Sequence, residues 1–245
     1  MTATAVEAKL ARLKREVRRE WGRRATAIRS TLSRDNVTGL AREVALTLLK
    51  VAAIVTLPFV VLVRASVYGY LHLLPTWPAL AGGALLTLLV VAAYAAWLSR
   101  RLTGRARFTA MTKWVAVPLV AGWCAYTLLF LASVNAKTDE VRGYYGALHP
   151  ILRVALSTVI LADGRLVVTD LGRVPEAYAR MGLRPNDGTL HYRQRDGWVH
   201  AVDLRTRRRS ELKNRAVQAY FWVMGFDTVR HVGTADHLHV ELRLR

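Results

Sequence analysis

The stretch Thr234-Ala-Asp-His-Leu-His-Val-Glu-Leu242 decides how the C-terminal part of the chain is read. Read as a strand, it sends His237, His239 and Glu241 to one face and Leu238, Val240 and Leu242 to the other, because successive side chains alternate. Two imidazoles then share a polar face whose reverse is apolar and buried, the rigid backing that a metal site needs. Two histidines do not close a tetrahedral site, so further ligands must come from upstream.

The chain has 245 residues, enough for two modest domains, and 53% of them are hydrophobic. The apolar residues crowd before residue 135, and the remainder has the mixed composition of a soluble domain. The single cysteine, Cys124, excludes an intrachain disulfide, a thiolate zinc site and a Cys–His nucleophile. A formal net charge of +19 raises nucleic acid as a partner. Position argues otherwise. Residues 1–42 hold eleven Lys or Arg against four acids, and Ser99–Lys113 holds five basic residues and no acid. Both segments flank apolar runs, so membrane topology accounts for the charge and no nucleic-acid partner is expected.

Residues 1–42 are expected to form a basic cytoplasmic N-terminal helix. Val6, Leu10, Leu13, Val17 and Trp21 recur at helical intervals among lysines and arginines, for a helix that lies on anionic membrane lipid or is simply solvated. This basic segment precedes the first apolar run, so no cleavable signal peptide is expected. Residues 43–134 hold three runs of about the twenty residues needed to cross a bilayer: Val44–Val63, Ala79–Leu98 and Trp114–Val134. Lys50, in the first, can snorkel to the headgroups. The basic loops put the N-terminus and Ser99–Lys113 in the cytoplasm, and three spans then carry everything after Asn135 to the far side of the inner membrane.

Residues 135–147 read as a linker, followed by an extracytoplasmic domain at 148–245. That domain is expected to contain a helix from Pro150, a strand over Arg165–Asp170, a short helix over Pro175–Met181, a strand over Trp198–Leu204, a helix over Glu211–Met224 and the final strand. The fold class is thus an anchor of three transmembrane helices followed by an α+β domain with a small antiparallel sheet. Within it, His200 and Asp203 are an odd number of residues apart on one strand and leave opposite faces, whereas a loop can fold His191 back. The preferred metal set is His191, Asp203 and His239, with His200 the alternative to His191.

Four segments carry a family likeness: Val168-Thr-Asp-Leu-Gly-Arg-Val-Pro175, Thr189-Leu-His191, Ala201-Val-Asp203-Leu204 and His237-Leu-His239-Val-Glu241. From about residue 148 to 242 the chain resembles the D-alanyl-D-alanine carboxypeptidase and dipeptidase metallopeptidases of the LAS fold, a group that includes L-alanyl-D-glutamate endopeptidases. The resemblance implies Zn2+ held by His191, Asp203 and His239, with Arg173 binding a substrate carboxylate. It implies Asp236 or His237 as the catalytic group that handles protons. The interval from His191 to Asp203 is five residues longer than the family's, and Asp236 stands where a Glu is usual. The expected activity is hydrolysis of peptidoglycan stem-peptide amide bonds. A module that binds wall peptides without catalysis is the alternative, and a third reading makes the spans the functional part.

Overall fold

The computed structural model describes residues 12, 14–23, 34–72, 74–129, 135–173, 182, 188–233 and 236–244. The expected short helix at 175–181 and the end of the third apolar run lie outside them. The chain divides into two compact units, 1–55 and 56–245. In the first unit, residues 14–23 are helical, as the basic periodicity predicts, and their side chains are exposed.

Three helices are long and apolar enough to cross a membrane: Thr38–Leu71 within the helix Arg34–Leu71, then Thr76–Thr103, then Phe108–Leu129. Each overruns its apolar run at one or both ends. Gly104, with φ 73°, closes the second helix by donating its N–H to the Arg100 carbonyl, the left-handed cap that glycine adopts without a Cβ clash. Inside the second unit the first and second helices meet at Gly83. A Cβ there would lie 2.2 Å from Ser66 Oγ and 2.6 Å from the Leu62 carbonyl oxygen, so the crossing requires the missing side chain.

The C-terminal region is built on a four-stranded antiparallel sheet of β1 (Val168–Asp170), β2 (Ala201–Arg205), β3 (Asp227–His231) and β4 (His237–Glu241), in the order β1-β2-β4-β3. One sheet face supplies Val202, Leu204, Leu238 and Val240 to the core, where they join Ile151, Leu152 and Leu156 of the helix Pro150–Ala162 and Val217, Phe221 and Met224 of the helix Glu211–Met224. Local signals set both helices. His149 accepts the Ile151 N–H ahead of Pro150, while Ser210 accepts the Lys213 N–H at the other helix's start and Gly225 ends it. β3 is absent from the sequence reading, because Asp227-Thr-Val-Arg-His231 has no buried face to produce an apolar alternation.

Residues 135–147 are more than a linker. Ala136 bridges to Val168, Asp139–Gly143 is a short helix capped by Thr138, and Tyr145 is buried. The Tyr145 and Ser157 hydroxyls both donate to the carbonyl of Thr127, at 2.6 and 3.2 Å, and Arg153 Nη1 donates to that of Leu128 at 3.0 Å. These donors tie the segment and the helix Pro150–Ala162 to carbonyls in the last described turn of the third apolar helix. Tyr70 and Thr76, flanking the turn between the first two helices, contact His149, and Trp77 meets Trp198 edge-on. The sheet domain is therefore packed onto one end of the helices, and its core cluster includes Leu62, Val67 and Leu80.

Gly83→Leu is expected to destabilise the chain by about 1–3 kcal/mol through overpacking. Gly82→Leu, which meets nothing within 4 Å, should stay within about 0.5 kcal/mol of the parent. Thermal unfolding in detergent, followed by intrinsic Trp fluorescence, checks the pair; equal shifts would contradict the close crossing.

Candidate metal centre

Asp203 is the organising residue. It sits on β2 directly opposite His239 of β4, so the pairing register itself brings the two side chains together on one sheet face. His239 Nδ1 lies 2.8 Å from Asp203 Oδ1, and His191 Nε2 lies 3.3 Å from the same oxygen. His191 reaches the strand from the loop after Gly188. Thr189 Oγ1 accepts the His191 N–H, the Arg173 N–H donates to the His191 carbonyl, and the His200 N–H donates to that of Leu190. The loop is thus stitched to both β1 and β2, and the imidazole it delivers is 2% exposed.

Two outer contacts orient the imidazoles. His191 donates Nδ1–H to the Leu171 carbonyl at 2.8 Å, which leaves Nε2 turned towards Asp203. His239 Nε2 lies 3.0 Å from Glu241 Oε2, two residues along the same strand face. A carbonyl or carboxylate behind the far nitrogen is the usual support of a metal-ligating histidine. The ligand atoms of His191, Asp203 and His239 all lie within 4.8 Å of one another. A tetrahedral ion with bonds of roughly 2 Å holds its ligand atoms roughly 3.3 Å apart, so only small side-chain movements separate this arrangement from a three-ligand site. The two-imidazole, one-carboxylate donor set fits a divalent cation of the zinc class.

The β1–β2 ladder carries a register shift between Val168 and Asp170, which places Asp170 opposite Asp203. Two carboxylates facing each other repel, and Arg173 resolves the conflict. Its Nε lies 2.5 Å from Asp170 Oδ2 and its Nη2 lies 3.1 Å from Asp203 Oδ2. The arginine expected to grip a substrate carboxylate is here first a bridge between two acids, although it still lines the open cleft in front of them.

His237 also faces this centre, with Nε2 3.8 Å from Asp203 Oδ1 and its ring stacked on His231. Asp236 is held differently. Its oxygens accept from Thr206 Oγ1 at 2.9 Å and from Arg230 Nε and Nη2 at 3.0 Å each. It lines the same cleft, paired with Thr206 and Arg230 rather than with the residues of the metal set. Of the two proton-handling candidates, His237 is the one the fold brings to the centre. Glu241 behind His239 had a legible signal, since it shares a strand face with both histidines.

A second grouping, His149, Asp196 and His200, has the spacing of a metal site, but in it His149 has both ring nitrogens engaged in other hydrogen bonds. His149 Nδ1 accepts the Ile151 N–H, which puts its own proton on Nε2, 3.0 Å from Thr76 Oγ1. His200 donates Nδ1–H to the Leu242 carbonyl, and its Nε2 meets Asp196 Oδ2 at 2.9 Å. Both rings are fully buried between the sheet domain and Tyr70 of the first helix. They make a hydrogen-bonded seam, and His200 leaves the opposite strand face from Asp203, as alternation requires.

Burial alone would raise the Asp203 pKa, but the hydrogen bonds from His191 and His239 outweigh it and hold the carboxyl far below the usual range. Burial alone would lower that of His239, and its bonds to Asp203 and Glu241 instead raise it. No family model matches the chain, and no curated protein or solved structure matches it either.

Without metal, the depressed Asp203 stabilises the fold above roughly pH 4 and that contribution is lost on acidification. The raised His239 stabilises below roughly pH 6.5 and that contribution is lost as pH rises through its folded value. Metal must displace the His239 proton, so zinc affinity is expected to rise with pH, by about tenfold per unit for as long as His239 is protonated in the free chain. Competition titrations with a chromophoric chelator measure this; an affinity independent of pH would remove His239 from the ligand set.

Proposed function

We propose that the chain is a membrane-anchored, zinc-dependent peptidase that hydrolyses amide bonds in peptidoglycan stem peptides, as a D,D-carboxypeptidase or a related endopeptidase. The observation that carries this reading is the grouping of His191, Asp203 and His239, whose ligand atoms lie within 4.8 Å of one another beside an open cleft that Asp203 and His237 line. The LAS resemblance named the same three residues in the same order along the chain.

A divalent cation held by these residues would polarise a scissile carbonyl and lower the pKa of an attacking water towards neutrality. The chain's own groups supply the remainder. His237, on the cleft side of Asp203, takes the water's proton and returns it to the leaving amine. Arg173 offers the substrate carboxylate whatever of its fork Asp170 and Asp203 leave available, and holds Asp203 in place. Glu241 and the Leu171 carbonyl fix the two imidazoles so that ligand geometry is set before substrate arrives.

The position of the domain supports action outside the cytoplasm of a bacterial cell. If the basic segments at 1–42 and Ser99–Lys113 stay in the cytoplasm, the turn between the first two helices and the end of the third lie on the far side. The domain packs against those same ends, through Tyr70, Thr76, Thr127 and Leu128.

A second reading keeps metal and fold but not turnover, making the domain a wall-peptide binding module. The capture of Asp236 by Arg230 and Thr206 favours it, because the carboxylate that the LAS resemblance implies as base is engaged elsewhere.

The test is release of D-alanine from a pentapeptide stem by the purified, zinc-loaded chain. His239→Ala is expected to abolish turnover. His237→Ala should lower kcat by roughly 10²–10⁴-fold, the usual contribution of general acid–base catalysis. Asp236→Asn should lower thermal stability and leave kcat within a few-fold. Metal binding with no release from any stem peptide would select the binding module, and equal loss in Asp236→Asn and His237→Ala would return Asp236 to the chemistry.

A further inference from the structure

The cleft in front of the metal centre, about 600 Å³, has a charge pattern that amide hydrolysis does not require. Five cations line it: Lys137, Arg173, Arg205, Arg207 and Arg208. The carboxylates among its walls already have partners. Arg173 bridges Asp170 and Asp203, and Arg230 holds Asp236. Lys137, Arg205, Arg207 and Arg208 have no ion-pair partner among the described residues. Among the described residues the five lining cations outnumber the three lining carboxylates, Asp170, Asp203 and Asp236, and the excess leaves a positive potential aimed at whatever enters.

The turn that presents them is built rather than loose. Thr206 is buried, with its hydroxyl on Asp236 and its carbonyl accepting from Asn214 Nδ2 at 3.1 Å. Arg209 points inward, with Nη2 2.6 Å from Asp163 Oδ2 and Nε 3.3 Å from Asn214 Oδ1. Between these two anchors Arg208 takes φ 63°, a left-handed conformation found at no other non-glycine residue among those described. Such a conformation is sterically disfavoured for a side chain with a Cβ and persists where the surroundings impose it. Its effect here is to hold Arg207 and Arg208 outward on the rim while their neighbours are tied down.

We infer that this cleft binds a phosphate-bearing polyanion, with a pyrophosphoryl or polyphosphoryl group as its smallest recognised unit. A planar carboxylate has two oxygens and is saturated by one bidentate arginine, whereas linked phosphates offer enough oxygens and charge to engage several guanidinium forks and an ammonium together. The ligand is taken to come from solution, because β2 carries the cleft residues away from the contact with the helix ends. His200, immediately before β2, touches Tyr70 at the end of the first apolar helix, and Arg205 stands five residues further along. At roughly 3.3 Å per residue that is about 16 Å from the helix contact. The inference extends the proposed peptidase by naming an anionic group its substrate would carry, yet binding at this cleft does not depend on the metal.

The experiment is calorimetric titration of the full chain, in a non-ionic detergent with chelator present, using pyrophosphate and, separately, citrate. Pyrophosphate is expected to bind, more weakly as salt rises, and at least tenfold more tightly than citrate. Arg207→Gln with Arg208→Gln should weaken it by tenfold or more while zinc content after reconstitution stays at the parent level, which shows that the fold is kept. Unchanged pyrophosphate affinity in that variant, or equal affinity for citrate, overturns the proposal. So does loss of pyrophosphate binding when the chain is moved into nanodiscs containing phosphatidylglycerol, because the headgroups would then be the occupant. If His239→Ala loses zinc and turnover is never found, but pyrophosphate still binds, the peptidase reading fails and the polyanion site stands.

Discussion

A carboxylate removed from water has to be surrounded by donors, and Asp203 shows how far that requirement shapes a site. It is 4% exposed, and its oxygens gather His191, His239 and Arg173 from a loop, a facing strand and the segment after β1. An ionised group buried with fewer partners would destabilise the fold by several kcal/mol. The same demand brings two imidazoles within coordinating distance of one oxygen. Structure and chemistry therefore share one cause: the contacts that make Asp203 tolerable in the sheet also assemble a donor set suited to a divalent cation.

The sheet can hold this arrangement because its reverse face is anchored. Leu238 and Val240 alternate with His237 and His239, and they lock β4 onto the two domain helices. The helix Pro150–Ala162 is in turn fixed to the third apolar helix through Arg153 and Ser157, joined by Tyr145, which donate to the carbonyls of Thr127 and Leu128. The seam of His149, His200 and Thr76 closes the other side. A continuous packed path thus runs from the helix ends to the ligand residues, so the domain is built into its anchor over 56–245 rather than hung from a tether.

Much of this was legible in the sequence because it rests on local periodicity. Alternation in His237-Leu-His-Val-Glu241 gave the faces of β4, the sequence pattern gave the helix Glu211–Met224, and odd spacing separated His200 from Asp203. What was not legible depends on pairing. β3 is a polar edge strand whose hydrogen bonds to β4 define it, and only that pairing brings Arg230 onto Asp236. The register shift that sets Asp170 against Asp203 explains why Arg173 is engaged, and no spacing rule announces it. Residues 135–147 carry turn-forming composition, yet Tyr145 is buried because its hydroxyl finds the Thr127 carbonyl.

The central claim is that His191, Asp203 and His239 hold one divalent cation. X-ray absorption at the zinc edge, on the full chain reconstituted with one equivalent of zinc, tests it most directly. Two imidazole nitrogens and at least one carboxylate oxygen in the inner shell, with one imidazole lost in His239→Ala, are the predicted result. An inner shell of water oxygens, or a spectrum unchanged by that substitution, would contradict it.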